Sequence, residues 1–235
     1  MVSVVGFTKR QPSAVLLAVQ LASLLVYPFT EDTVAGRAVF SAIGIVVLAL
    51  AVWATAGSPA WTWVSVVLAV PATGILLVDA FGEVSSLVGW SEGLLALLYF
   101  YTAWSLLAYM LADDRITRDE LFAVGATFTV VAWGFAHLYG WCQALFPGCF
   151  TAAVDPDEPR SWIELLSLSF TTLSSVGLGD VIPVHPFARA LVMLEQVAGV
   201  GYIAMVVSRL VTLLASRDAG RQAARAADVG DGDNG

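Results

Sequence analysis

Apolar residues run through this chain in long blocks separated by short polar joints. The blocks at 14–29, 38–56, 61–80, 94–111, 121–139 and 188–214 approach the ~20 residues that carry a helix across ~30 Å of hydrocarbon. They predict an all-α membrane protein of six transmembrane helices. The first block is short. Pro71 interrupts the third, where it kinks the helix or is covered by a neighbour that satisfies the freed carbonyl. The stretch LADDRITRDEL at 111–121 carries charges of both signs. It divides a four-helix N-terminal domain (1–111) from a C-terminal domain (121–217), with 112–120 as a cytoplasmic linker. Residues 218–235 end in Gly, Asp and Asn and read as a disordered cytoplasmic tail after a short helical start.

The joint between the last two blocks, 140–187, is the most informative part of the chain. Ser161 followed by Glu164 has the pattern of a capping box. The apolar run it opens, 163–173, is too short to cross a bilayer and predicts a re-entrant half-membrane helix. That helix leads into Ser174-Ser175-Val176-Gly177-Leu178-Gly179-Asp180. Non-helical backbone at membrane depth is tolerated only inside protein or beside water. Gly177 and Gly179 reach backbone angles closed to other residues, so successive carbonyls can turn to one side. Four copies would stack rings of oxygens able to replace the hydration shell of a cation. The negative end of the short helix favours the same charge.

This stretch resembles the signature of potassium channels, Thr-Val-Gly-Tyr-Gly followed by Asp. Ser175, Val176, Gly177, Leu178, Gly179 and Asp180 occupy those positions, and FTTL before them resembles the end of the family's pore helix. The last apolar block resembles the inner helix of prokaryotic members. The resemblance covers residues 121–215 and implies an outer helix, pore helix, filter and inner helix. It implies K+ ligands at Ser175, Val176, Gly177 and Leu178, with Gly179 completing the filter and Ser174 and Asp180 supporting it. One filter per chain implies a homotetramer. The sequence departs from the pattern at Leu178, which lacks the tyrosine hydroxyl that ties the family's filter to its surroundings. It also departs at Ser167 and Leu168, where many members carry tryptophan. These departures bear on potassium-over-sodium selectivity.

Composition fits this reading: 58 % of residues are hydrophobic, 13 % are charged, and the net charge is −8. Soluble domains carry about 25 % charge. No basic patch suits nucleic acid. With the N-terminus inside, Lys9, Arg10, Arg115, Arg118, Arg209, Arg217, Arg221 and Arg225 face the cytoplasm, and Arg37, Arg160 and Arg189 face out. Eight against three places both termini in the cytoplasm of a multi-pass cell-membrane protein. Outer segments are acidic, and Trp90 and Trp141 mark the outer interface, as Trp53, Trp61 and Trp63 mark the inner one. Lys9-Arg10 ahead of an apolar run resembles a signal peptide, but no cleavage site follows, so the run reads as a retained span.

The fourth block holds no Arg or Lys, which excludes a conventional arginine-based voltage sensor. The first four helices read as a packing collar or as a docking site for an unknown regulatory partner. Glu195, inside the last span, is either a gating acid or a hydrogen-bond partner for the back of the pore helix. Gly199 and Gly201 form a gating hinge or permit close helix packing. Cys142 and Cys149 share one outer segment, either as a disulfide or as two thiols. His137 and His185 are placed beside the outer mouth, as proton sensors or as ordinary interfacial residues. Asp155, Asp157 and Glu158 either concentrate cations or form a solvated loop. No enzyme constellation is visible, and no cofactor beyond K+ as permeant ion is implied. Partners are other copies of the chain and membrane lipid. The expectation is passive K+ conduction; the alternatives are a weakly selective monovalent cation pore and a non-conducting sensor or accessory subunit.

Overall fold

The computed structural model describes residues 11–27, 85–111 and 118–232, with isolated positions between 50 and 74. The expected spans at 38–56 and 61–80 lie almost wholly outside the described residues. So does most of the linker at 112–120. The described chain is helical: α1 (Pro12–Val26), α2 (Ser85–Leu111), α3 (Arg118–Leu145), α4 (Trp162–Leu173) and α5 (Pro186–Gly232). A two-stranded antiparallel ladder joins β1 (Phe150–Thr151) to β2 (Ile182–Pro183), pairing Phe150 with Pro183 and Thr151 with Ile182.

Three of these helices are long and apolar enough to cross a membrane, over Gly89–Leu111, Leu121–Leu145 and Pro186–Thr212. They correspond to the expected fourth, fifth and sixth spans. α1 has 15 residues, about 22 Å at 1.5 Å per residue, shorter than the hydrocarbon core. α4 has 12 residues, about 18 Å, the length of a helix that enters half a bilayer and turns. Residues 218–232, expected as a disordered tail, continue α5 as helix. Their alanine-rich sequence favours helix even without an apolar face.

α3 is the central post. One side packs against α1 and α2 through Leu16, Leu98, Tyr99, Val130 and Trp133, all at most 2 % exposed. The other side packs against α4, α5 and the strand pair through Tyr139, Phe150 and Leu165. Two polar ties fasten the N-terminal helices to this post. Asp119, at the start of α3, accepts from the Ser13 amide at 3.1 Å and its hydroxyl at 3.0 Å. It thereby caps the N-terminus of α1 from 106 residues away, where a carboxylate is favoured by the helix dipole. His137 Nδ1 lies 2.7 Å from the Glu92 carboxylate on α2, and its ring stacks on Tyr99. The expected place of His137 beside the outer mouth is therefore corrected: it is buried between two helices. Glu92, on α2, is its partner. His185 lies in the connection between α4 and α5, stacked on Phe146.

Candidate functional site

The connection between α3 and α4 is built to hold α4 at a fixed angle. Glu164 closes the capping box, accepting from the Ser161 amide at 2.6 Å. Arg160, only 5 % exposed, sits at the centre of the preceding loop. Its guanidinium donates to the carbonyls of Val154, Asp155 and Glu158 and to the Glu164 carboxylate. The Gln143 side chain, on the last turns of α3, brackets the Arg160 backbone. It donates to the carbonyl at 3.0 Å and accepts from the amide at 2.8 Å. Nothing local in the sequence marks this role; Arg160 reads there only as an outer charge.

α4 ends at Leu173, with Ser174 still in the right-handed region. Backbone φ then turns positive at alternate residues, +60° at Ser175 and +69° at Gly177. A Cβ on Gly177 would meet nothing within 4 Å, so the requirement there is for the angle rather than for space. Ser175 holds the same region against the penalty of its side chain, a strain of about 1–3 kcal/mol that concentrates at functional sites. The amides turn back onto α4: Ser175 N–H donates to Thr172 O, and the Val176 and Gly177 amides both donate to Thr171 O, each at 3.0 Å. The Ser174 hydroxyl reaches the same Thr171 oxygen at 3.4 Å.

With the amides of residues 174–177 committed to α4, this stretch presents its carbonyls elsewhere. None of the described hydrogen bonds ends on a carbonyl of residues 175–179. Residues 175–180 are exposed, Val176 at 62 % and Leu178 at 80 %. Asp180 is exposed and makes no described hydrogen bond, so no tie to α4 within the chain is seen for it.

Behind the stretch, α5 crosses α4 at close range. A Cβ on Gly199 would stand 2.1 Å from Leu173 O, whereas one on Gly201 would meet nothing within 4 Å. Of the two glycines expected as hinge or packing residues, Gly199 serves packing within the chain and Gly201 lies open. Glu195 is fully buried and is hydrogen-bonded to Tyr139 on α3 and Ser169 on α4. Cys142 and Cys149 are both buried with their sulfurs 3.6 Å apart. The Cys149 carbonyl accepts from the Val184 and His185 amides just after β2. Asp155, Asp157 and Glu158 form the exposed rim of the Arg160 loop. Among the described residues, no group of three or more His, Cys, Asp or Glu is placed to hold a metal.

Residues 122–216, spanning nearly all of α3 through the membrane part of α5, match the ion-channel family model. The chain is 32 % identical over 68 residues to a potassium channel protein, kcv, of Paramecium bursaria Chlorella virus 1; the match covers 29 % of this chain and 68 % of that relative. No solved structure matches significantly. A relative matched over two-thirds of its length, and a channel model laid over the helices that frame residues 175–179, place this chain in the potassium channel family.

Proposed function

We propose that four copies of this chain surround one axis and pass K+ down its gradient, with the carbonyls of Ser175, Val176, Gly177 and Leu178 as ligands. The observation that carries this reading is the backbone of 174–179. The amides of residues 174–177 are turned onto α4, φ is positive at Ser175 and Gly177, and no described hydrogen bond ends on a carbonyl of residues 175–179. A single chain leaves the assembly surface bare. Only 28 % of the Pro186–Thr212 span is buried, against 50 % and 61 % for the other two spans. Met193, Val197, Val200, Val207 and Val211 form an exposed apolar stripe at helical spacing along α5, which copies of the same helix would cover.

In this reading the protein has six spans, with both termini cytoplasmic. The N-terminal helices surround the pore without sensing voltage through arginine, since α2 contains none. They offer the surface on which a regulatory partner would act. The exposed and purely apolar Leu178 side chain supports a second reading, a pore that also admits Na+. Purified protein in liposomes decides between them. K+ flux that barium blocks, with little Na+ flux, supports the first; equal Na+ and K+ flux supports the second. Absence of flux at every voltage and pH would leave a non-conducting subunit.

A further inference from the structure

The carboxyl of Glu195 is buried at 0 % exposure in a membrane-spanning helix, and no cation partners it among the described residues. Its Oε2 meets the Tyr139 hydroxyl and its Oε1 meets the Ser169 hydroxyl. The Ser169 Oγ also lies 2.8 Å from the carbonyl oxygen of Ala132 on α3. A serine hydroxyl has one hydrogen to give. One arrangement fills all three contacts. The carboxyl donates from Oε1 to Ser169, Ser169 donates to Ala132 O, and Tyr139 donates to Oε2. That arrangement requires a neutral acid. With an anion, Ser169 must turn to the carboxylate, the Ala132 contact loses its hydrogen, and an uncompensated charge remains in apolar surroundings, which is the costlier state.

Among the described residues, few other titratable or charged groups face this acid. On α3 they are Tyr139 and, less than a turn on, Cys142; on α4 the contact is the Ser169 hydroxyl. On α5 itself, Arg189 is engaged at the Pro183 carbonyl, 3.1 Å away.

The contact also has a register. Glu195 meets Ser169, and four residues on along both helices Gly199 meets Leu173. Two successive turns of α5 are thus keyed to two successive turns of α4. The lower pair adjoins Thr171 and Thr172, whose carbonyls hold the amides of Ser175, Val176 and Gly177.

We propose that Glu195 is a positioning residue that acts as a neutral acid. Its protonated carboxyl pins α4 between α3 and α5, and so holds the ion-coordinating backbone in the conformation that selects K+. This rests on reading residues 175–179 as the filter.

Glutamine reproduces the hydrogen bonds of the neutral acid, with its NH2 toward Ser169 and its carbonyl toward Tyr139. Glu195→Gln is therefore expected to keep the K+/Na+ flux ratio of the parent within about twofold in liposomes. Glu195→Ala is expected to lower it about tenfold, the effect of a hydrogen-bond-sized loss. The parent should lose selectivity as alkaline pH ionises the acid, and Glu195→Gln should not. An infrared difference spectrum, parent minus Glu195→Gln, should show a protonated carboxyl at neutral pH. If Glu195→Ala does not assemble, Tyr139→Phe and Ser169→Ala take its place, and each should reduce the ratio less. Glu195→Gln behaving like an alanine variant, or an ionised carboxylate in the difference spectrum, would overturn the inference. The spectrum needs no conduction. A parent without K+ flux but with the protonated band therefore indicts the filter reading and leaves the neutral acid standing.

Discussion

Gly199 on α5 and the carbonyl oxygen of Leu173 at the end of α4 lie in direct contact, with 2.1 Å between that oxygen and the place a Cβ would take. The obstacle is backbone, which cannot swing aside as a side chain can. Gly199→Ala must therefore separate α5 from α4 just where the proposed filter begins. We expect a loss of about 1–3 kcal/mol in stability and a sharp fall in K+ flux. Gly201→Ala meets nothing within the chain and should leave the melting temperature of the protomer fold unchanged or slightly raised, since alanine is the better helix former. Thermal melting of the two variants side by side checks the contrast. Equal melting temperatures would mean that the close contact does not hold α5 against α4.

Arg160 organises the loop before α4 from within. Replacing it by alanine leaves the carbonyls of Val154 and Glu158 without a described donor, and takes one donor from the Asp155 carbonyl and one from the Glu164 carboxylate, which keep the Glu158 and Ser161 amides. Unpaired buried acceptors cost about 1–3 kcal/mol each where water cannot reach them. A destabilisation of at least about 2 kcal/mol is expected, with protease cleavage appearing first in the loop around 154–160. Arg160→Lys supplies a single point of donation in place of a fork, and should recover less than half of that loss. Denaturation and limited proteolysis measure both effects.

Asp119 ties the start of α3 to the start of α1 through two bonds to Ser13. Removing an N-terminal cap costs about 1 kcal/mol, so Asp119→Ala should loosen α1 by that order while α4 and α5 keep their protection. Hydrogen exchange resolves the two regions. Uniform loss of protection across all helices would show that this tie supports the whole fold rather than the attachment of α1.

Cys142 and Cys149 are close enough to bond with little movement, and their segment carries β1 up to β2 beyond the filter. Purified protein exposed to oxidant should lose two hydrogens and yield a linked peptide pair in non-reducing mass spectrometry. By the loop-entropy relation, closing so short a loop contributes about 2.5 kcal/mol, and reduction should lower the melting temperature accordingly. Two free thiols after oxidation would refute the pairing.

Residues 163–180 are legible in sequence because their constraints are local. Ser161 and Glu164 announce the start of α4, the short apolar run announces its length, and Gly177 announces a backbone angle. The alternate positive φ at Ser175 could not be read, since serine has no preference for it. The ties made at long range were equally silent. Asp119 with Ser13, Glu92 with His137, and Gln143 with Arg160 each join residues separated by a turn of chain or more, and each member taken alone looks like an ordinary surface polar residue. Glu195 stood out because a carboxyl inside an apolar block has no bland surface alternative; its partners Tyr139 and Ser169 did not. The tail misled for a related reason. Its missing apolar face argues against a packed helix, yet alanine content alone sustains the continuation of α5.

The central claim is that the free carbonyls of residues 175–178 from four chains coordinate K+. Thallium, a scattering substitute for K+, can be located directly in the assembled protein. The account predicts a file of thallium sites on a four-fold axis, each ringed by these backbone oxygens. Residues 175–179 facing lipid or a closed protomer interior, with no ion and no symmetry axis beside them, would contradict it.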